Sequence, residues 1–212
     1  GDLAHGIEML NARVARDGAP EFDFASQAKL RRKMLEEFAE HADDDTQGSI
    51  RPQKAIADVR AVLGPHDILL SGVGAHKMWV ARHYQCHEPG TCLISNGFCS
   101  MGMPLPGAIS AKLSRPDAKI LAVVGDGDVM MNVQEMETAS RLNSDITVLV
   151  WEDHAYGLIA RKQQQAFGQY TAVTFTNPDW LELCTAMGWK GERCEDAAVL
   201  QGTLNRALGR NE

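Results

Sequence analysis

Four short, almost purely apolar runs punctuate this chain: Asp67–Ser71 (DILLS), Thr91–Ser95 (TCLIS), Lys119–Gly125 (KILAVVG) and Asp145–Trp151 (DITVLVW). Each has the length of a strand, and none shows the strict apolar–polar alternation of a strand with one wet face. Helical patterns separate them. Gln53–Leu63 starts after Pro52 and stops at Gly64-Pro65; a helix carrying Met78, Trp79 and Arg82 follows the first run. Gly102–Leu113 and Val133–Leu142 follow the second and third, and Trp180–Met187 and Ala197–Leu208 come after the fourth. Strands apolar on both sides need cover on both sides, and strands spaced by helices pair in parallel. The expected fold class is therefore α/β, a doubly wound parallel sheet with helices on both faces.

Residues 1–50 follow another pattern. Gly1–Arg16 has Leu3, Ile7, Leu10 and Val14 at helical spacing, and Gly18–Phe24 breaks it with a glycine and a proline. Gln27–Ala42 is a second, charged helix with Leu30, Met34, Phe38 and Ala42 on one stripe. Asp43–Asp45 and Thr46–Gly48 read as a solvated linker. A chain of 212 residues can bury about 70% of its extended surface, so its core needs no disulfide or metal staple. Its net charge of −7 argues against a nucleic-acid or membrane-surface partner, and no apolar run is long enough to span a bilayer. The five cysteines are odd in number and form no C-x-x-C pair, which fits reduced thiols and a cytoplasmic setting. The N-terminus shows no signal-peptide pattern.

In parallel sheets ligands bind beyond the carboxyl ends of the strands. The third strand ends in Gly125-Asp126-Gly127-Asp128, where glycines let backbone approach a ligand and an aspartate offers oxygen to a divalent cation. Read alone, G-D-G is a tight turn with Asp126 capping a helix. The next strand end, Trp151-Glu152-Asp153-His154-Ala155-Tyr156-Gly157, adds a carboxylate 27 positions after Asp126, one β–α–β crossover away. Two adjacent strand ends can then present both carboxylates to one cation. Magnesium prefers six oxygens at about 2.1 Å, including substrate phosphates and water.

These segments resemble the thiamine diphosphate enzymes, whose diphosphate motif is G-D-G followed after some 25 residues by an Asn/Asp-rich turn. Gly125–Arg141 (GDGDVMMNVQEMETASR) is similar to a segment of the acetolactate synthase group. Ile94–Leu113 (ISNGFCSMGMPLPGAISAKL) resembles that group's stretch around the cofactor's pyrimidine ring, and Ser71–Arg82 (SGVGAHKMWVAR) its first diphosphate loop. Glu88-Pro89, Ile94–Gly97 and the W-x-D turn at Trp151–Asp153 resemble the FAD-independent, catabolic members.

The resemblance implies that Asp126 and Asp153 bind magnesium through side chains and Ala155 through its carbonyl. It implies that Gly125, Gly127, Asp128, Tyr156 and Gly157 lie beside the diphosphate, contributing mostly backbone. Gly74, Ala75 and His76 would form the other diphosphate loop; Ala75 stands where the family usually has Gln or Ser. Met101 would prop the bent cofactor, with its N–H and the Cys99 carbonyl facing the pyrimidine edge; Cys99 replaces a common Gly or Gln. Leu158, Ile159 and Lys162 would approach the substrate, whereas His154 reads as a solvent-facing turn residue.

The implied reaction is pyruvate decarboxylation and carboligation to 2-acetolactate, with thiamine diphosphate and Mg2+ as cofactors, in a homo-oligomer. The family's activating glutamate belongs to a separate pyrimidine-binding domain, and no glutamate here resembles that motif. Residues 1–50 resemble the remnant of the family's central domain plus linker, and 51–212 its diphosphate-binding domain without the usual last strand. The expectation is a piece of a larger enzyme, inactive alone. Alternatives are another thiamine diphosphate-dependent 2-oxo acid decarboxylase or carboligase, a natural small subunit of a split decarboxylase, and a nucleotide-binding module without catalysis.

Overall fold

A computed structural model describes residues 2–19, 23–45 and 49–209. Residues 20–22 of the expected break at Gly18–Phe24, residues 46–48 of the expected linker, and the chain ends at Gly1 and at residues 210–212 lie outside the described residues. The chain divides into two compact units, one reaching Glu36 and one starting at Glu37.

In the first unit, α1 (Leu3–Asp17) is capped by Asp2, whose side chain accepts from the Ala4 and His5 N–H groups. The expected helical spacing is present, but Leu3, Ile7, Leu10 and Val14 are all exposed. α2 (Ala25–Ala42) begins in this unit and ends in the second, where its Phe38 stacks on His83 with ring centroids 4.9 Å apart.

The second unit runs α3 (Pro52–Val62), β1 (Ile68–Ser71), α4 (Ala75–His83), β2 (Cys92–Ile94), α5 (Pro104–Ser114) and β3 (Ile120–Gly125). It continues with the single turn α6 (Asp126–Val129), α7 (Glu135–Arg141), β4 (Thr147–Trp151), α8 (Gly157–Phe167), α9 (Trp180–Ala186) and α10 (Ala197–Leu208). Pro at the first turn of α3 and of α5 fits because that position has no helical acceptor to lose. The α5 pattern begins two residues later than its sequence suggests, because Gly102 has φ +83°, which no helix accommodates.

The four strands form one parallel sheet in the order β2-β1-β3-β4. Alternate residues feed opposite faces. Leu69, Leu121 and Val123 pack with Ile56 and Val59 of α3, Val80 of α4 and Leu200 and Leu204 of α10. Leu70, Ala122 and Val124 pack on the other side with Leu105 and Ala108 of α5 and Met136 of α7. The sheet is thus doubly wound, with cover on both faces. β1 and β3 are central and buried, except for Gly125 at the end of β3, whereas every residue of edge strand β4 is half-buried. From β1 the chain moves outward to β2, then returns across β1 to β3 and on to β4. The β1–β3 junction is therefore where the winding reverses, the place where such sheets open a crevice at their carboxyl ends.

Candidate functional site

A cavity of about 220 Å3 sits at that crevice. The turn after β1 supplies Val73, Gly74, Ala75 and His76, and the turn after β3 supplies Gly125–Asp128. Trp151–Asp153 and Ala155–Ile159 close it from the end of β4, and Met101 reaches it from the loop after β2. Thirteen of the fourteen residues expected at the cofactor from the sequence lie on this one wall; the fourteenth is Cys99. Cys99 is exposed at φ +52°, and its thiol sulfur lies 3.3 Å from the Lys77 Nζ. Ile159 lines the cavity as well, and Lys162 does not.

Asp126 is 1% exposed and heavily bonded. Its Oδ1 accepts from the Gly127 N–H at 2.8 Å. Its Oδ2 accepts from the N–H of Asp153 at 3.2 Å, of His154 at 2.7 Å and from the Asn177 amide at 2.8 Å. The β4 turn is thereby tied to the β3 turn through a side chain. That turn is also held by the following segment: Ala155 bridges Thr174, Tyr156 N–H donates to the Val173 carbonyl, and Phe175 N–H to that of His154.

Asp153 is drawn into the same place. Burial, and then the charge of Asp126, push its carboxyl above the usual range. Its Oδ1 accepts from the Ala155 N–H at 3.2 Å. A Cβ at Gly157 would stand 2.5 Å from its Oδ2, so only glycine leaves room for this carboxylate. Gly127 has a similar role toward rings: its Cβ would meet Tyr156 at 2.7 Å and Phe175 at 3.0 Å. Those two rings pack at 5.0 Å, tilted by 55°.

Asp128 has a structural part that its sequence position does not announce. Its side chain is 1% exposed and takes the Val73 N–H at 3.2 Å and the Gly102 N–H at 2.7 Å. One carboxylate thus clasps the loops after β1, β2 and β3. Burial raises its proton affinity even though these N–H groups oppose the shift.

His76 is 4% exposed, and its Nε2 has no hydrogen-bond partner. It lies 3.9 Å from Asp128 and beside the Trp151 ring. Burial lowers its pKa to about 4, against the pull of Asp126 and of a backbone bond to Gly72; Lys77 adds to the lowering. The consequence for stability follows from linkage. Between pH 6.5 and about 4 the unfolded chain takes up a proton that folded His76 refuses. Stability should therefore fall as pH drops through that window, by up to about 3 kcal/mol, and be unaffected by this group above it. Urea midpoints at pH 7 and about pH 4 should differ less in His76→Gln than in the parent chain.

Asn177 and Glu152 were not singled out from the sequence. The Glu152 carboxylate accepts from Asn177 at 3.0 Å, Trp180 Nε1 at 3.0 Å and Arg193 at 2.9 Å. Burial works against its charge, but these donors outweigh it and hold its carboxyl below the usual range. The only available signal was the acidic residue beside Asp153. His154 has an exposed side chain 3.6 Å from Glu152.

The donor set suits an anion bridged by a hard cation. Buried Asp126 and solvent-exposed Asp153 line the same cavity, and the charge of Asp126 adds to burial in raising the Asp153 carboxyl, a repulsion that a bound cation would relieve. The N-terminal turns of α4 and α8 line the cavity, and helix N-termini present unsatisfied N–H groups that favour phosphate. Among the described residues no cluster of three or more His, Cys, Asp or Glu could hold a metal by itself. Also among the described residues, no helix is long and apolar enough to cross a membrane.

Comparison with known proteins points the same way. Residues 72–212 match the family described as "Thiamine pyrophosphate enzyme, C-terminal TPP binding domain". The chain is 32% identical to the acetolactate synthase of Bacillus subtilis (strain 168) over 157 residues, 74% of this chain and 28% of that protein. It is 30% identical to the catabolic acetolactate synthase of Raoultella terrigena over 217 aligned positions, covering 98% of this chain and 37% of the relative. The isozyme 1 large subunit of Escherichia coli (strain K12) is 36% identical over 155 residues, 70% of this chain and 27% of the subunit. The chain therefore spans well under half the length of these relatives. With its reversed-winding parallel sheet and glycine–aspartate crevice, this chain belongs to the thiamine pyrophosphate enzymes as an acetolactate synthase-like C-terminal TPP-binding domain.

Proposed function

We propose that this chain is the part of an acetolactate synthase-like enzyme that holds thiamine diphosphate through Mg2+. The observation that carries the reading is the pairing of Asp126 and Asp153 at adjacent strand ends, inside a cavity that also receives two helix N-termini. Asp126, Asp153 and the Ala155 carbonyl would ligate the cation. Gly74, Ala75, His76, Gly125, Gly127, Asp128, Tyr156 and Gly157 would surround the diphosphate, and Cys99, Met101 and Leu158 the remainder of the cofactor. When bound, the cofactor supplies a thiazolium able to stabilise a carbanion.

The protein's own contribution is placement and charge. Asp126 and Asp153 would offset the positive charge of the cation, and the first-turn N–H groups of α4 and α8 would favour the diphosphate. The Asp128 clasp keeps the loops after β1 and β2 at a set distance from the β3 turn. Buried His76 stays neutral at physiological pH and lines the cavity beside Gly74 and Ala75.

The substrate in this reading is a 2-oxo acid, pyruvate, with 2-acetolactate as product, and the working assembly is a cytoplasmic homo-oligomer. The activating glutamate would come from a pyrimidine-binding domain, of the same parent chain or of a second subunit. The 212-residue chain is therefore expected to bind thiamine diphosphate only with Mg2+ present and to form no acetolactate. Calorimetric titration with and without Mg2+ tests the first statement, and a colorimetric acetolactate assay the second. Binding indifferent to Mg2+ would overturn the cation role; acetolactate from the purified chain would overturn the division of labour.

One neighbouring feature supports a further strand of the parent enzyme along β4. Among the described residues that edge has no strand partner, and it faces a groove of about 1000 Å3 lined by Val148, Val150, Trp189, Leu200 and Leu204. An unpaired, half-buried apolar edge is ordinarily covered or paired.

A further inference from the structure

Asn177 lies 51 residues after Asp126, outside every motif of the sequence, yet its amide joins two of the carboxylates that line the cavity, Asp126 and Glu152. Its Nδ2 stands 2.8 Å from Asp126 Oδ2 and 3.0 Å from Glu152 Oε1. It is also 3.3 Å from His154 Nδ1. The amide orientation is unambiguous, because turning it over would aim a carbonyl oxygen at two carboxylates. Its own Oδ1 is buried without a partner. An unpaired buried acceptor is costly, so the fold gives up one bond of this amide to retain the two that face carboxylates.

The partners of each oxygen differ. Asp126 Oδ2 takes three donors, from Asp153, His154 and Asn177, which more than fills an oxygen with two lone-pair sites. Oδ1 takes the Gly127 N–H alone and keeps acceptor capacity. The far side of the clamp is anchored in turn, because Glu152 is fixed by Trp180 Nε1 and by Arg193. Of the three donors on Oδ2, Asn177 is the only side chain, so it is the one a substitution can remove.

We propose that Asn177 is a positioning residue for a divalent cation at Asp126: it locks the carboxylate so that Oδ1, and not Oδ2, is the oxygen offered to the metal. The inference rests on the cation role assigned to Asp126 above and deepens it. Residues outside the ligand shell that orient a ligand commonly change metal affinity by about 10–100-fold when removed. Magnesium demands near-octahedral geometry, whereas calcium accepts irregular shells, so a loosened carboxylate should harm magnesium more.

The test titrates thiamine diphosphate into the 212-residue chain with Mg2+ and, separately, with Ca2+. Asn177→Ala is expected to weaken Mg2+-supported binding about 10–100-fold and Ca2+-supported binding distinctly less. If urea denaturation shows that Asn177→Ala has lost its fold, the isosteric Asn177→Asp carries the test. It removes the donor and sets a third carboxylate beside the other two, so its Mg2+ loss should be at least as large. Unchanged Mg2+ affinity in a folded variant overturns the proposal, as does an equal loss with both cations, which marks a merely structural residue. If parent binding collapses in Asp126→Ala but persists in the Asn177 variants, this proposal alone falls. If the parent chain shows no Mg2+-dependent binding, the reading of the site falls and takes this one with it.

Discussion

Asp126→Ala should lose Mg2+-dependent thiamine diphosphate binding, with affinity down at least about 100-fold, the upper range for ligand-supporting groups. The carboxylate has two tasks, and the substitution removes both. As a charge it would offset the cation, and without it Asp153 faces the metal and the diphosphate alone. As an acceptor it takes the N–H groups of Gly127, Asp153 and His154 and the Asn177 amide. Each donor left unpaired in a buried site costs about 1–3 kcal/mol, so the β4 turn would shift or admit water. Asp126→Asn separates the two tasks. It retains the shape of the side chain, but whichever way the amide turns, an NH2 group faces either the three donors at Oδ2 or the cation at Oδ1. It should therefore also lose binding. Calorimetry at saturating Mg2+, read beside urea denaturation of each variant, checks this. Full affinity in a folded Asp126→Asn chain would remove Asp126 from the cation site.

Gly72→Ala should be the most damaging small substitution in the second unit. A Cβ there would lie 1.5 Å from Asp128 Oδ2 and 2.7 Å from its Cγ, a collision no side-chain adjustment of an alanine can relieve. Asp128 would have to leave, releasing the N–H groups of Val73 and Gly102. Overpacking costs about 1–3 kcal/mol, and each orphaned N–H adds a similar amount. A loss of at least about 3 kcal/mol is expected, equal to a fall in Tm of roughly 10 °C for a chain of this size. The loops that carry His76 and Met101 would separate, so cofactor binding should weaken even where the fold survives. An unchanged urea midpoint would show that the Asp128 clasp contributes little.

Much of the fold was legible because burial leaves a periodic trace. β1 and β3 are apolar on both faces since helices cover both, and that cover is written into runs such as Leu121–Val124. The glycines of the crevice were legible for a related reason, since Gly125 and Gly127 stand where a strand turns into a helix. The first helix was legible too, although its stripe of Leu3, Ile7, Leu10 and Val14 is not buried in its own unit. Periodicity records the capacity to bury a face and does not name what covers it.

Partners distant in the chain left no such trace. Asp128 carries an expected backbone role beside a diphosphate, and its side chain also ties Val73 and Gly102, 55 and 26 residues away, which no local pattern announces. Asn177 reaches Asp126 across 51 residues, through a loop with no motif. By itself the sequence determined the helices and strands, the parallel sheet and the aspartates at two strand ends, because these follow from local spacing and from which faces must avoid water. Only the tertiary structure decided which oxygen of Asp126 is occupied, which carboxylate clasps the three loops and which amide joins Asp126 to Glu152. Those contacts depend on the strand order β2-β1-β3-β4, which brings distant loops to one crevice, and hydrogen bonds between such loops have no period along the chain.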